Sequence, residues 1–222
     1  MSRRYRAVLF DIDGTLVDSN DVHARAWVEA FREASFDVPF DRIRPLIGMG
    51  GDKLVPAATG LAADDPRVES LGARRTELLL ERHLGDIHAL PGARELVERL
   101  RAAGYVIAIA TSAKDNELTA ILRAGEIDGL FHTKTSSSDA EHSKPAPDIV
   151  EAAARRVGVA ASECVMIGDT PYDITAARGA GVDIIAVRSG GWRDGDLAGA
   201  LAIYDGPADL LAHLDDSPLA LT

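Results

Sequence analysis

Cysteine is almost absent from this sequence: the chain holds one, Cys164, which excludes an intramolecular disulfide and a multi-cysteine zinc cluster. Long apolar runs are missing too. None approaches the roughly 18 residues that would suggest a membrane span. The opening Met1-Ser-Arg-Arg-Tyr5 leads straight into a strand-like segment, not a signal peptide. Positive charge is in deficit, with 24 Lys plus Arg against 35 Asp plus Glu and a formal net charge of −11. That balance lacks the basic footprint of non-specific nucleic-acid binding, although a local positive pocket is compatible with it. There is no internal repeat and no low-complexity tract. The expectation is a cytoplasmic protein with neither nucleic acid nor membrane as partner, a monomer or a homodimer.

What is present reads as an ordinary globular chain. Its 222 residues are 46% hydrophobic and 27% charged, enough to bury a sizeable interior. Ala7–Phe10, Tyr105–Ala110, Cys164–Ile167 and Asp183–Val187 are short apolar runs, mostly rich in β-branched side chains. Near-continuous apolar strands imply a sheet covered on both faces. Helical segments lie between them. Pro91-Gly92 opens one that Gly104 closes; Pro147 stands at a first helical position with Gly158 after the last turn; Asp173–Ala180 ends at Gly181. The alternation predicts an α/β fold with a doubly wound parallel sheet.

Residues 17–89 break the alternation and contain no convincing strand. His23–Glu33 places Trp27, Ala30 and Phe31 at helical spacing, Arg74–His83 does the same with Leu78 and Leu79, and Pro and Gly punctuate the rest. The expected organisation is an α/β core from 1–16 and 90–222 with an all-helical cap domain, 17–89, inserted after the first strand. Trp27 and Phe31 are expected in the cap core, Cys164 as an inert core thiol, Trp192 in a surface loop, and the tail from Asp215 as frayed.

The chemistry-bearing residues follow strand ends. Asp11-Ile-Asp-Gly-Thr-Leu-Val-Asp18 succeeds the first strand, and open α/β sheets bind ligands at that end. Two carboxylates as close as Asp11 and Asp13 require a cation or a proton. A calcium loop also begins D-x-D, but here the glycine stands fourth instead of sixth, and Val22 occupies the twelfth position where glutamate is needed. Asp169 and Asp173 follow a later strand. An oxygen-only set of this kind suits Mg²⁺, while Asp173 could equally cap its helix. Thr111 and Ser112 end a third strand, where a hydroxyl and backbone N–H groups can hold an anion or simply cap a helix. Lys144 offers a point charge for phosphate, or a surface lysine.

The order of these positions resembles the haloacid dehalogenase-like (HAD) superfamily, whose four motifs match Asp11/Asp13, Thr111, Lys144 and Asp169/Asp173, with a helical cap after the first motif as in its phosphoglycolate phosphatase and β-phosphoglucomutase branch. The resemblance implies a Rossmann-like core and a Mg²⁺-dependent phosphatase acting on a small phosphorylated metabolite such as a sugar phosphate or phosphoglycolate. It implies that Asp11 forms an aspartyl-phosphate, Asp13 serves as acid and base, and Thr111, Ser112 and Lys144 hold the phosphate. Asp11, Asp13 (through its carbonyl), Asp169 and Asp173 would serve the metal. The second aspartate, Asp13, favours phosphate esters over dehalogenation or phosphonate cleavage. Gly51 stands where the mutases carry an arginine, which argues for hydrolysis, with a phosphomutase as the alternative. A second alternative is a non-catalytic phospho-acceptor of the receiver type, but receivers are shorter and lack the inserted helices. In the cap, His23, Gly48, Gly50, Gly51 and Lys53 are candidate substrate contacts.

Overall fold

The structure is a computed structural model that describes residues 4–220. Six strands form a parallel sheet: β1 (Ala7–Phe10), β4 (Val106–Ala110), β5 (Thr133–Thr135), β6 (Cys164–Gly168), β7 (Asp183–Val187) and β8 (Ile203–Tyr204). Their spatial order is β5-β4-β1-β6-β7-β8. Successive strands build outward from β1 on one side, then on the other. The connection reverses at β1, so a crevice opens beyond the carboxyl ends of β1, β4 and β6. In register, Phe10 pairs with Ile109 on one side and Ile167 on the other, which brings the three following segments together.

Alternation along the strands explains their apolar character. Val8, Phe10, Ile107, Ile109, Val165 and Ile167 face one layer of helices, α5 (Ala93–Ala102), α6 (Asp115–Ala124) and α9 (Pro207–Ala212). Ala7, Leu9, Ala108, Cys164 and Met166 face the other layer, α7 (Asp148–Val157) and α8 (Pro171–Gly179). Both faces are dry, as a parallel sheet requires. Cys164 is buried in this second layer, where burial pushes its thiol up to about 11.

A further apolar cluster is built from α1 (Asn20–Glu33), α2 (Phe40–Ile43), α3 (Gly51–Thr59) and α4 (Pro66–Leu78). Trp27, Phe31, Ile43, Leu54, Val55, Val68 and Leu71 fill it, and Trp27 stacks on Phe31 with centroids 5.3 Å apart. Among the described residues no helix is long and apolar enough to cross a membrane.

Several expectations need correction. Residues 17–89 do contain strands: β2 (Val17–Asp18) and β3 (His88–Ala89) pair antiparallel where the chain leaves and re-enters the sheet domain. Two residues are too few to show a period-2 pattern. The strand predicted from Tyr105 starts at Val106, and Pro147 caps α7 from outside. The helix predicted over Arg74–His83 begins at Pro66, where the Asp65 side chain accepts the Arg67 N–H, and ends in a π-turn over Leu79–His83. As far as Ala220 the tail is docked, not frayed; Leu221 and Thr222 lie outside the described residues. Leu219 is 1% exposed, and the Tyr105 hydroxyl donates to its carbonyl at 2.8 Å. Trp192 is half-buried, edge-on to Tyr172.

Candidate active site

Asp11 leaves the end of β1 and Asp169 the end of β6, and both are buried. Gly14, at φ +75°, turns the chain immediately after Asp13. Space around Asp169 is created by glycine: a Cβ on Gly14 would lie 2.2 Å, and one on Gly190 1.8 Å, from its Oδ2. Into that cradle Asn20 donates at 2.9 Å and Thr15 at 3.2 Å, orienting both carboxylate oxygens.

Asp173 divides its two oxygens between two tasks. Oδ2 accepts from the Thr170 backbone N–H at 3.0 Å and the Thr170 hydroxyl at 2.6 Å, while the Thr170 hydroxyl accepts the Asp173 N–H, completing a capping box at the start of α8. Oδ1 is buried, takes no hydrogen bond of good geometry, and lies 2.8 Å from the Lys144 ammonium. The same ammonium donates to Asp11 Oδ1 at 2.6 Å. Lys144 is itself 1% exposed, so it is an internal counter-ion and not a surface lysine.

Ligand oxygens of Asp11, Asp169 and Asp173 all lie within 4.8 Å of one another. Three buried carboxylates face one ammonium, a surplus of negative charge that burial makes costly. Burial, together with the charge of Asp173 and Asp13, pushes Asp11 up to about 7 against the opposing pull of Lys144. Burial and the neighbouring Asp173 and Asp11 likewise raise Asp169 well above the carboxylate range. Burial works to lower the Lys144 ammonium, but the two carboxylates win and hold it above the ordinary lysine value. A buried carboxylate oxygen without a well-aligned hydrogen bond, an excess of buried anions and an all-oxygen donor set fit a divalent cation.

Asp13 sits apart from that cluster. Its Oδ1 accepts from Ser19 Oγ at 2.5 Å and faces His23 Nε2 at 2.8 Å. Burial works to raise its carboxyl, but the His23 charge and the hydrogen bonds from His23 and Ser19 hold it below the usual range. The carboxylate of Asp13 is therefore outside the metal-type cluster.

Asp11, Asp13, Thr111, Ser112, His23, Gly48, Gly50 and Gly51 all line one cavity of about 60 Å³, room for a small anion and little more. Thr111 is buried and accepts the Ala113 N–H at 3.2 Å; the Lys144 N–H approaches Ser112 Oγ at 3.4 Å. Lys53 does not line the cavity. Its ammonium donates to the Ser143 carbonyl at 2.5 Å, and the Ser143 hydroxyl donates to Asp52 at 2.6 Å, which ties the helical block to the loop before Lys144. Gly48, Gly50 and Gly51 lie close against Thr170, Ser143 and the Trp27 ring respectively.

Two residues of this cavity went unnoticed in the sequence. Arg75 of α4 pairs with Glu117 of α6, spans the Trp27 ring at 5.1 Å, and faces His23 Nδ1 at 3.3 Å. Glu117 is 1% exposed and also accepts from the Thr76 hydroxyl at 3.2 Å. The available signal was a glutamate on the apolar stripe of α6, beside Leu118 and Ile121.

Comparison with known proteins agrees with this geometry. Residues 5–181 match the family described as haloacid dehalogenase-like hydrolase. The chain is 36% identical over 189 residues to the chloroplastic protein SUPPRESSOR OF QUENCHING 1 of Arabidopsis thaliana, covering 82% of this chain but only 18% of that longer protein. It is 32% identical over 187 residues to a phosphoglycolate phosphatase of Caulobacter vibrioides, covering 82% of this chain and 79% of that one. Among solved structures, a hydrolase from Pseudomonas syringae superposes with a TM-score of 0.89 at 35% identity, over 97% of this chain and 99% of that one.

Proposed function

Given that the chain belongs to the haloacid dehalogenase-like hydrolases, we propose that it is a Mg²⁺-dependent phosphatase that hydrolyses a small phosphorylated metabolite through an aspartyl-phosphate. The observation that supports this most is the contrast between Asp11 and Asp13. One cavity holds both, yet Asp11 belongs to an anionic cluster with Lys144, and Asp13 is paired with His23 and Ser19. Environments that separate two carboxylates in this way assign them different roles.

Asp11 is the nucleophile: its carboxylate oxygen forms a bond to phosphorus as the ester P–O bond breaks. Asp13 gives its proton to the departing alkoxide. An entering phosphate raises the carboxyl of Asp13, since a nearby anion favours the neutral acid. In the second half of the reaction Asp13 takes a proton from water, and the water oxygen displaces Asp11 from phosphorus to release phosphate. Lys144, the Thr111 hydroxyl and Ser112 would hold phosphate oxygens. Asp11, Asp169, Asp173 and the Asp13 carbonyl would hold Mg²⁺, which when bound supplies positive charge that eases the meeting of carboxylate and phosphate. Hydrolysis is favoured over phosphomutase chemistry because neither of the two cap positions considered for a second phosphate, Gly51 and Lys53, offers it a free cation. Gly51 packs on Trp27, and Lys53 is committed to Ser143.

The test is phosphate release from phosphoglycolate, fructose 1-phosphate, β-glucose 1-phosphate and p-nitrophenyl phosphate, with Mg²⁺, with EDTA, and with Asp11→Asn. The expected result is Mg²⁺-dependent release that Asp11→Asn abolishes. Conversion of β-glucose 1-phosphate to glucose 6-phosphate without net release would replace the phosphatase by a mutase.

A further inference from the structure

The catalytic cavity, at about 60 Å³, encloses little space beyond that of a phosphoryl group, so a larger leaving group extends out of it. A second chamber of about 470 Å³ adjoins it, and the two share Gly50, Gly51, Arg75 and Ser112 as walls. This is the size of an ordinary small-ligand pocket, and its shared wall makes it the exit for an ester group anchored on Asp11.

The charge of that chamber is one-sided. Asp52, Asp64, Asp65 and Glu69 line it, against the cations Arg75 and Lys114. Arg75 is already neutralised by the buried Glu117. Asp65 is held below the usual carboxylate range by the hydrogen bonds and charge of Arg67, whose guanidinium pairs with it and offsets its charge. Lys53, next to this wall, is spent on the Ser143 carbonyl. That leaves Asp52, Asp64 and Glu69 facing Lys114. Hydroxyls of Ser112, Ser137 and Ser143 complete the lining, so donors and acceptors for a polyol are present while a receptor for a second anion is not.

We infer that the leaving group this enzyme accepts is uncharged and hydroxyl-bearing, and that a carboxylate or second phosphate on the substrate is rejected by Asp52, Asp64 and Glu69. The inference rests on the phosphatase reading above and narrows its substrate class. It separates this chain from its phosphoglycolate phosphatase relative, whose named substrate carries a carboxylate.

Matched pairs isolate the charge: glycerol 3-phosphate against 3-phosphoglycerate, and fructose 1-phosphate against fructose 1,6-bisphosphate. For the intact enzyme with Mg²⁺, kcat/KM is expected to favour the uncharged member of each pair by about tenfold or more at low salt, and the gap should narrow as ionic strength rises. Calorimetric Kd values for the same pairs on Asp11→Asn should show the same preference without turnover. The double charge reversal Asp64→Lys, Glu69→Lys should shrink the ratio by about tenfold, each substrate being read in one folded preparation checked by circular dichroism. Equal or better use of the anionic member overturns the inference and leaves the phosphatase standing, as does a ratio indifferent to the charge reversal. Absence of turnover on every ester, p-nitrophenyl phosphate included, overturns the phosphatase, and the Kd ratio then still decides the inference. No binding of either member overturns both.

Discussion

Replacing Lys144 with methionine keeps most of the aliphatic stem and removes the ammonium from a site where it is 1% exposed. Asp11 and Asp173 then lose a partner at 2.6 and 2.8 Å, and Asp169 loses a nearby positive charge. Breaking a buried pair by removing one partner costs about 3–5 kcal/mol, because the surviving charge has no compensation. The carboxylates can escape part of that by binding protons. Asp11, already raised from 3.8 to about 7 with Lys144 present, rises further without it. A carboxyl whose folded value exceeds its unfolded value binds more protons when folded, so stability falls as pH climbs through the interval between the two. For the metal-free parent that interval runs from about pH 4 to pH 7, and in Lys144→Met it extends upward. Urea unfolding followed by circular dichroism in EDTA should therefore show the full 3–5 kcal/mol loss at pH 8 and less than about half of it at pH 5. Adding Mg²⁺ at pH 8 should recover more stability in the variant than in the parent, since an ion bound by the folded state alone stabilises it. Equal parental and variant stability at pH 8 in EDTA would refute the electrostatic account, as would the same loss at both pH values.

Gly190→Ala drives a methyl group to within 1.8 Å of Asp169 Oδ2 and must displace that carboxylate. The Mg²⁺ concentration for half-maximal phosphate release should rise about 10–100-fold, and an unchanged metal titration would remove Asp169 from the metal site. Glu117→Ala leaves the Arg75 guanidinium, at 13% side-chain exposure, without its carboxylate. A stability loss of about 3–5 kcal/mol is expected by chemical denaturation, with Glu117→Gln losing less because it can still accept from Thr76; equal losses would show that charge is not the cause. Leu219→Ala should cost about 2–5 kcal/mol, since the side chain is buried against the layer of α5 and α9. A near-neutral result would mean the tail does not add to the core.

What could be read from the chain depended on how locally each feature is encoded. Asp11, Thr111 and Asp169 each follow a run of apolar residues, and a parallel sheet whose strand order reverses at β1 brings them to one edge. Lys144 is different: a loop lysine carries no mark of burial, and only its distances to Asp11 and Asp173 show it to be an internal charge. For Asp173 the sequence offered helix cap or metal ligand as alternatives. The structure has one oxygen in the capping box and the other turned to the cluster, so the two readings were never exclusive. Arg75 and Glu117 show the real limit. They lie on different helices, and neither has a short-range pattern that announces the other. Glu117 is legible only as a fault, a charge on the buried stripe of an amphipathic helix. Such a charge is stable only with a partner, and that requirement predicts a cation opposite α6 without saying where in the chain it comes from. The same logic runs through the leaving-group chamber. Each of its carboxylates is unremarkable on a solvated helix end, and their shared consequence, a wall hostile to a second anion, exists only once α3, α4 and the loop before Lys144 are brought together.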